Sequence, residues 1–228
     1  MKKTQYFQKS VKFLLISFLL LLVANLLSIF LITKYGYSYD KSIIRIFNFD
    51  TEQSFPTLFS ALLLGVSSFL FFYIALNKKN KKYWLILSFV FLFLVIDEAI
   101  GIHELLVYTS RNLLNAKGFL YFTWVVPYSI ISLIVVLVLF KFLMSLPKKT
   151  LYLFILSAVI SVGGAIGMEM IAGNIVYALG DKYFYNVTYM VCYTLEESME
   201  MLGLILLIYS LLDYIITQKL KPLKIEFK

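Results

Sequence analysis

Six apolar runs, each near the roughly 20 residues a helix needs to cross a bilayer, constrain this chain more than any other feature. They fall at about 12–33, 56–77, 83–108, 122–144, 151–178 and 187–215, and no stretch between them is long enough for a separate soluble domain. The expected fold is therefore all-α, one transmembrane domain over 1–228, a polytopic bundle of six helices. Composition agrees: 61% of the residues are hydrophobic, 18% aromatic and 15% charged. The apolar run that follows Lys12 is too long for a signal-peptide core and lacks a small-x-small cleavage site, so it is expected to stay as the first span.

The net charge of +8 is not read as a nucleic-acid footprint, because the lysines gather in short turns such as Lys78-Lys79-Asn80-Lys81-Lys82 and Pro147-Lys148-Lys149. With a cytoplasmic N-terminus, 15 of the 21 basic residues fall inside. The positive-inside rule then places both termini in the cytoplasm and the protein in the cell (inner) membrane. Trp84 and Trp124 are expected near opposite interfaces. Ser54 with Pro56 reads as the start of the second span. The loop from Lys34 to Phe55 reads either as an amphipathic segment on the membrane surface or as a tether. Cys192, the single cysteine, excludes an intramolecular disulfide and reads as a packing residue.

Against this background the third run is anomalous. Asp97, Glu98, His103 and Glu104 lie within it, and on one continuous helix Asp97 and Glu104 would stand about 20° apart. Glu169 follows a small-residue stretch in which Gly163 and Gly167 form a GxxxG, a pattern that allows close helix contact. In the sixth run Glu196, Glu197 and Glu200 share about 100° of arc with Tyr189 and Tyr193. Measured along their helices from the lysine-rich ends, Asp97, Glu104, Glu169 and Glu200 lie at about 22 to 33 Å, in the outer half of a membrane. Seven of the thirteen acidic residues could thus line one cavity, with no lysine or arginine in the same layer.

Ionised groups at bilayer depth are rare unless paired or functional, so protons or metal ions are expected to balance these acids. Carboxylates with one imidazole suit a divalent ion such as Mn, Fe or Zn. The candidate ligands are Asp97, Glu98, His103, Glu104, Glu169, Glu196, Glu197 and Glu200, with Tyr189 and Tyr193 behind them. Di-iron four-helix bundles are similar in presenting inward carboxylates from facing helices, but their Glu-x-x-His spacing is absent, since Glu98 and His103 are five residues apart. Structural alternatives stand beside these roles: a histidine bonded to a carbonyl for His103, solvated surface acids for Glu104 and Glu196, a snorkelling charge for Asp213.

Three functions fit the pattern. The first is a metal-dependent membrane enzyme acting on a lipid-like substrate, its catalytic residues unassigned. The second is a proton- or divalent-cation-coupled transporter, supported by a 3+3 inverted repeat in which Asp97-Glu98 recurs as Glu196-Glu197, and opposed by the lack of a proline-broken span. The third is a structural subunit whose acids meet a basic partner. Besides lipid, the expected partners are such a substrate or a transported cation. A rhodopsin-like pigment is disfavoured for want of a mid-span lysine, and no nucleophile motif points to a serine.

Overall fold

The computed structural model describes residues 2–36 and 41–221. Among these the chain is helical, without strands. Six helices are long and apolar enough to cross a membrane: Phe7–Tyr35, Phe55–Asn77, Lys81–Ile100, Val125–Met144, Lys148–Leu179 and Val187–Thr217. Residues 37–40 of the long loop, and Lys224 and Lys228 among the lysines counted for topology, lie outside the described residues.

In chain order the elements are α1 (Lys2–Tyr35), the short α2 (Lys41–Phe47), α3 (Phe55–Asn77), α4 (Lys81–Ile100), α5 (Ile102–Leu114), α6 (Val125–Met144), α7 (Lys148–Val162), a π-helical turn at Gly163–Met168, α8 (Glu169–Leu179) and α9 (Val187–Thr217). Two starts follow sequence rules. The Ser54 side chain accepts the Thr57 N–H at 3.3 Å with Pro at the first turn of α3, and Asn186 accepts the Tyr189 N–H at 3.0 Å to open α9.

Helix α9 is the hub, packing against α1, α3, α7, the π turn and α8. Its half from Met201 to Tyr214 supplies Met201, Ile208 and Leu211, all essentially inaccessible, to the main core, where Phe71 of α3 and Trp84 of α4 join them. Helices α3 and α4 form a hairpin locked by reciprocal bonds, Ser68 Oγ donating to the Ser88 carbonyl at 2.8 Å and Ser88 Oγ to that of Ser68 at 3.0 Å. Much of α6 is exposed, including Ile130, Leu133, Leu137 and Val138.

The buried side of α1 runs Phe18, Asn25, Ile32 with Ser28 between, a seven-residue seam facing α9. Asn25 is the polar member of that seam and fully buried. Its Nδ2 donates to Thr194 Oγ1 at 3.0 Å and its Oδ1 accepts the Phe49 N–H at 2.9 Å. One amide thus ties the first helix, the last helix and the loop after α2 together. Asn25→Ala leaves both partners without it in a dry site, so we expect a loss of about 2 to 4 kcal/mol. A thermal melt in detergent checks this, and faster proteolysis within 48–54 should accompany it.

Two expectations need correction. The third run is not one helix: Gly101 adopts φ +70°, ends α4, and turns the chain into α5. Trp84 stands in the first turn of α4 and Trp124 at the start of α6, and both are packed inside. Trp84, 1% exposed, packs on Phe71, Phe142 and Tyr214, and Trp124 is also buried. Indoles fill core space here because their N–H groups can find partners inside. Of the GxxxG pair, Gly163 does approach α9, a methyl there standing 3.3 Å from Met199 Cε, but Gly167 meets nothing, and the tightest approach is at Gly164, where a methyl would stand 2.7 Å from the Glu196 carbonyl oxygen and 2.9 Å from Met199 Cβ. Gly164 and Gly203, on facing helices, are the residues that permit the close approach of the π turn and α7 to α9.

Candidate functional site

Gly101 generates the first part of the site. A left-handed residue lets the chain leave α4 and restart at once as α5, and it directs the Gly101 N–H back to the Asp97 carbonyl at 2.7 Å. The new helix begins with unpaired N–H groups, and the Asp97 carboxylate caps them: Oδ1 accepts the His103 N–H at 2.9 Å. The same Oδ1 accepts the Tyr128 hydroxyl at 2.8 Å, and Oδ2 lies 3.3 Å from His103 Nδ1. Asp97, 6% exposed, is thereby committed to orienting His103. His103 also packs on the Trp124 ring at 5.2 Å, which in turn meets Tyr128 edge-on.

The π turn generates the second part. One residue more per turn than an α-helix advances the register, and such bulges occur often at functional sites. Glu169 is the first residue after it. Trp124 Nε1 donates to Glu169 Oε1 at 2.8 Å.

Helix α9 adds the remainder. Glu200 feels the charges of Glu98, His103, Glu169 and Asp97, and Glu197 those of Glu200, Glu98, Glu52 and Glu169. Glu98, Glu169, Glu196, Glu197 and Glu200 are each half-buried. Each of these five side chains is thus partly open to its surroundings. Glu104 does not lie over Asp97 as a continuous helix requires. The break at Gly101 puts it on α5, exposed, its carboxyl beside that of Glu52 over Gly101.

Two acids of this recess escaped sequence reasoning. Asp50 and Glu52 belong to the segment that Asn25 draws onto the bundle, so the long loop is neither a plain tether nor only a surface helix. Tyr189 donates its hydroxyl to Asp50 Oδ1 at 2.6 Å rather than standing behind the α9 glutamates, and Tyr193 packs on Tyr189 at 5.5 Å. Surrounding protein pushes the Asp50 carboxyl up to about 7, the Tyr189 hydrogen bond opposing and the Glu169 and Glu104 charges adding. Asp50 remains open to solvent on one side, and screening there limits the energetic penalty. Burial, then the Glu104 charge, raises Glu52 as well. Tyr128 and Trp124 were also missed as site residues. Signals existed: an amide in mid-span at Asn25, and acids beside the anchoring Phe49.

Charge balance is unusual. Among the described residues, His103 is the basic side chain that acts on Glu52, Asp97, Glu98, Glu169 and Glu200. Among the described residues the ion pairs are His103 with Asp97 and, far away, Lys149 with Asp213 at 2.8 Å. Asp213 is thus paired rather than snorkelling alone. Among the described residues no three His, Cys, Asp or Glu side chains are gathered as a metal-holding group. Asp97 caps α5, and Glu104 is carried away from it by the turn at Gly101.

Residues 14–215 match a protein family described as a domain of unknown function (DUF8692). Comparison with curated proteins gives no match, and neither does comparison with solved structures.

Proposed function

We propose, for a chain that belongs to the DUF8692 family, an integral protein of the cell membrane with both termini in the cytoplasm, whose acidic recess opens on the outer side and takes up a divalent cation to act on a lipid-like substrate. The observation that carries this reading is the concentration of acids: Glu52 of the 48–54 segment, Glu98 of α4 and Glu169 of α8 lie near enough to Glu197 and Glu200 of α9 for their charges to act on them, with the His103 imidazole acting on Glu200 as well. Such a set attracts cations, and an excess of carboxylates over nitrogen ligands suits Mn, Fe or Zn.

Glu98, Glu169, Glu197 and Glu200 with His103 would hold the ion, while Asp97 and Tyr128 keep the imidazole in place. A divalent ion there would supply Lewis-acid polarisation and a readily ionised water. Trp124 presents its indole N–H to Glu169 and excludes water from one side of that carboxyl. An unligated glutamate, Glu196 or Glu104, is then free to carry a proton to or from the reacting group.

A one-sided site favours enzyme over transporter. Below Glu200 the interior is filled by Met201, Leu204, Ile208 and Leu211 of α9 against Phe71 and Trp84, an apolar plug between the acids and the lysine-rich end. Transport has its own support in the two acid-bearing spans that are interrupted at glycines, Gly101 and the π turn.

Elemental analysis of detergent-purified protein after dialysis tests the reading. About one equivalent or more of Mn, Fe or Zn is expected in wild type, falling at least tenfold in Glu200→Gln. Proteoliposomes should move no more protons or divalent ions than empty liposomes. Metal-free protein would remove the cation centre, and flux abolished by Glu197→Gln would replace the enzyme with a transporter.

A further inference from the structure

A second site lies at the opposite end of the bundle. A cleft of about 540 Å³ opens between the α3–α4 turn, the end of α6 and the end of α9, a size usual for small-ligand sites. Its walls combine Lys78, Lys79 and the Asn80 amide with Gln218, and its floor is aromatic, from Trp84 and Tyr214. Among the described residues that line it, none is acidic. The nearest carboxylate in α9, Asp213, is neutralised by Lys149 at 2.8 Å.

Lys78 is held ready rather than loose. Its Nζ donates to Gln218 Oε1 at 2.8 Å and lies 5.3 Å from the centre of the Tyr214 ring. An ammonium over an aromatic face with one donor committed keeps two for a ligand oxygen. Several donors and two positive charges above an apolar floor match a tetrahedral anion with hydrocarbon attached. Basic pockets between helices at a lysine-rich membrane face hold phosphate head groups in this manner.

We infer that this cleft binds a phosphate group, supplied either by the head of an anionic phospholipid or by free phosphate, at the end of the bundle remote from the acidic recess. The site is independent of any cation chemistry. Lys78 and Lys79 contact the phosphate oxygens, Gln218 positions Lys78, and Trp84 with Tyr214 supports the glycerol and first methylenes when the source is a lipid.

The test uses full-length protein in nanodiscs of phosphatidylcholine alone, of phosphatidylcholine with phosphatidylglycerol, and of phosphatidylcholine with added inorganic phosphate, read by thermal melting at constant ionic strength. Wild type should melt about 4 °C higher in one of the last two, which identifies the source. Lys78→Gln with Lys79→Gln should lose that shift, and Ser145→Trp, which fills the cleft and keeps both lysines, should lose it too. Lys81→Gln with Lys82→Gln removes equal charge outside the cleft and should keep it. Equal loss in both lysine pairs, no shift in either arm, or a shift that survives the tryptophan each overturns the proposal.

Discussion

Gly203→Val is expected to abolish the folded bundle, and Gly164→Ala to destabilise it by on the order of 3 kcal/mol, with Gly167→Ala close to neutral. A first side-chain carbon at 203 would stand 2.8 Å from the Ser161 nitrogen and 3.0 Å from the Ser157 carbonyl oxygen, both main-chain atoms of α7 that can yield only if the helix moves. Moving it also breaks the Ser157 hydroxyl's 2.7 Å bond to the Gly203 carbonyl. At 164 the obstacle is the Glu196 carbonyl oxygen and Met199 Cβ, so the displaced stretch is the one that carries Glu196, Glu197 and Glu200. Gly167 has open space, and alanine there gains helix propensity. Yield of monodisperse protein and the melting temperature of the three variants check the order.

Glu169→Gln is the second large effect, and its sign is expected to depend on metal. With Mn, Fe or Zn in hundredfold excess over its dissociation constant, wild type should gain about 2.7 kcal/mol, most of which the variant forfeits with its ligand. In chelator the order should close or reverse. The amide is isosteric, its Oε1 still accepts the Trp124 N–H, and it withdraws one negative charge from a recess crowded with them. A hydrogen-bonding role alone predicts the same loss with and without metal. If metal leaves the wild-type melt unchanged while the variant melts lower in chelator, the cation centre is wrong.

The six spans were legible because a bilayer-length apolar run is a one-dimensional signal, and Ser54 with Pro56 marked a true helix start. What stayed hidden depends on backbone conformation or on distant partners. Gly101 reads as a small residue in a hydrophobic run, yet its left-handed turn moves Glu104 away from Asp97. A π turn has no composition of its own beyond glycines, so the GxxxG pattern pointed to Gly167 when the extra residue per turn had moved the contact to Gly164. Asp50 and Glu52 sat in a polar-looking loop, and what brings them to the recess is an amide on α1 together with a tyrosine on α9, contacts 24 and 139 residues away in sequence. The acids of the third, fifth and sixth runs were legible as residues out of place in apolar helices; that Asp97 caps α5 and holds His103 and Tyr128 was not.

The central position of α9 also has a consequence for how the chain is made. Synthesis runs from the N-terminus, so α1, α3 and α7 emerge before the helix on which all three pack. Until α9 arrives, Asn25 has no Thr194 to receive its N–H, and the two residues are 169 apart. The earlier helices must therefore wait unassembled, with the α3–α4 hairpin as their strongest pairing among the described residues. Cooperative closure then comes late and all at once, and the acidic recess, whose α9 wall is synthesised last, cannot exist in any partial product that stops at Asn186.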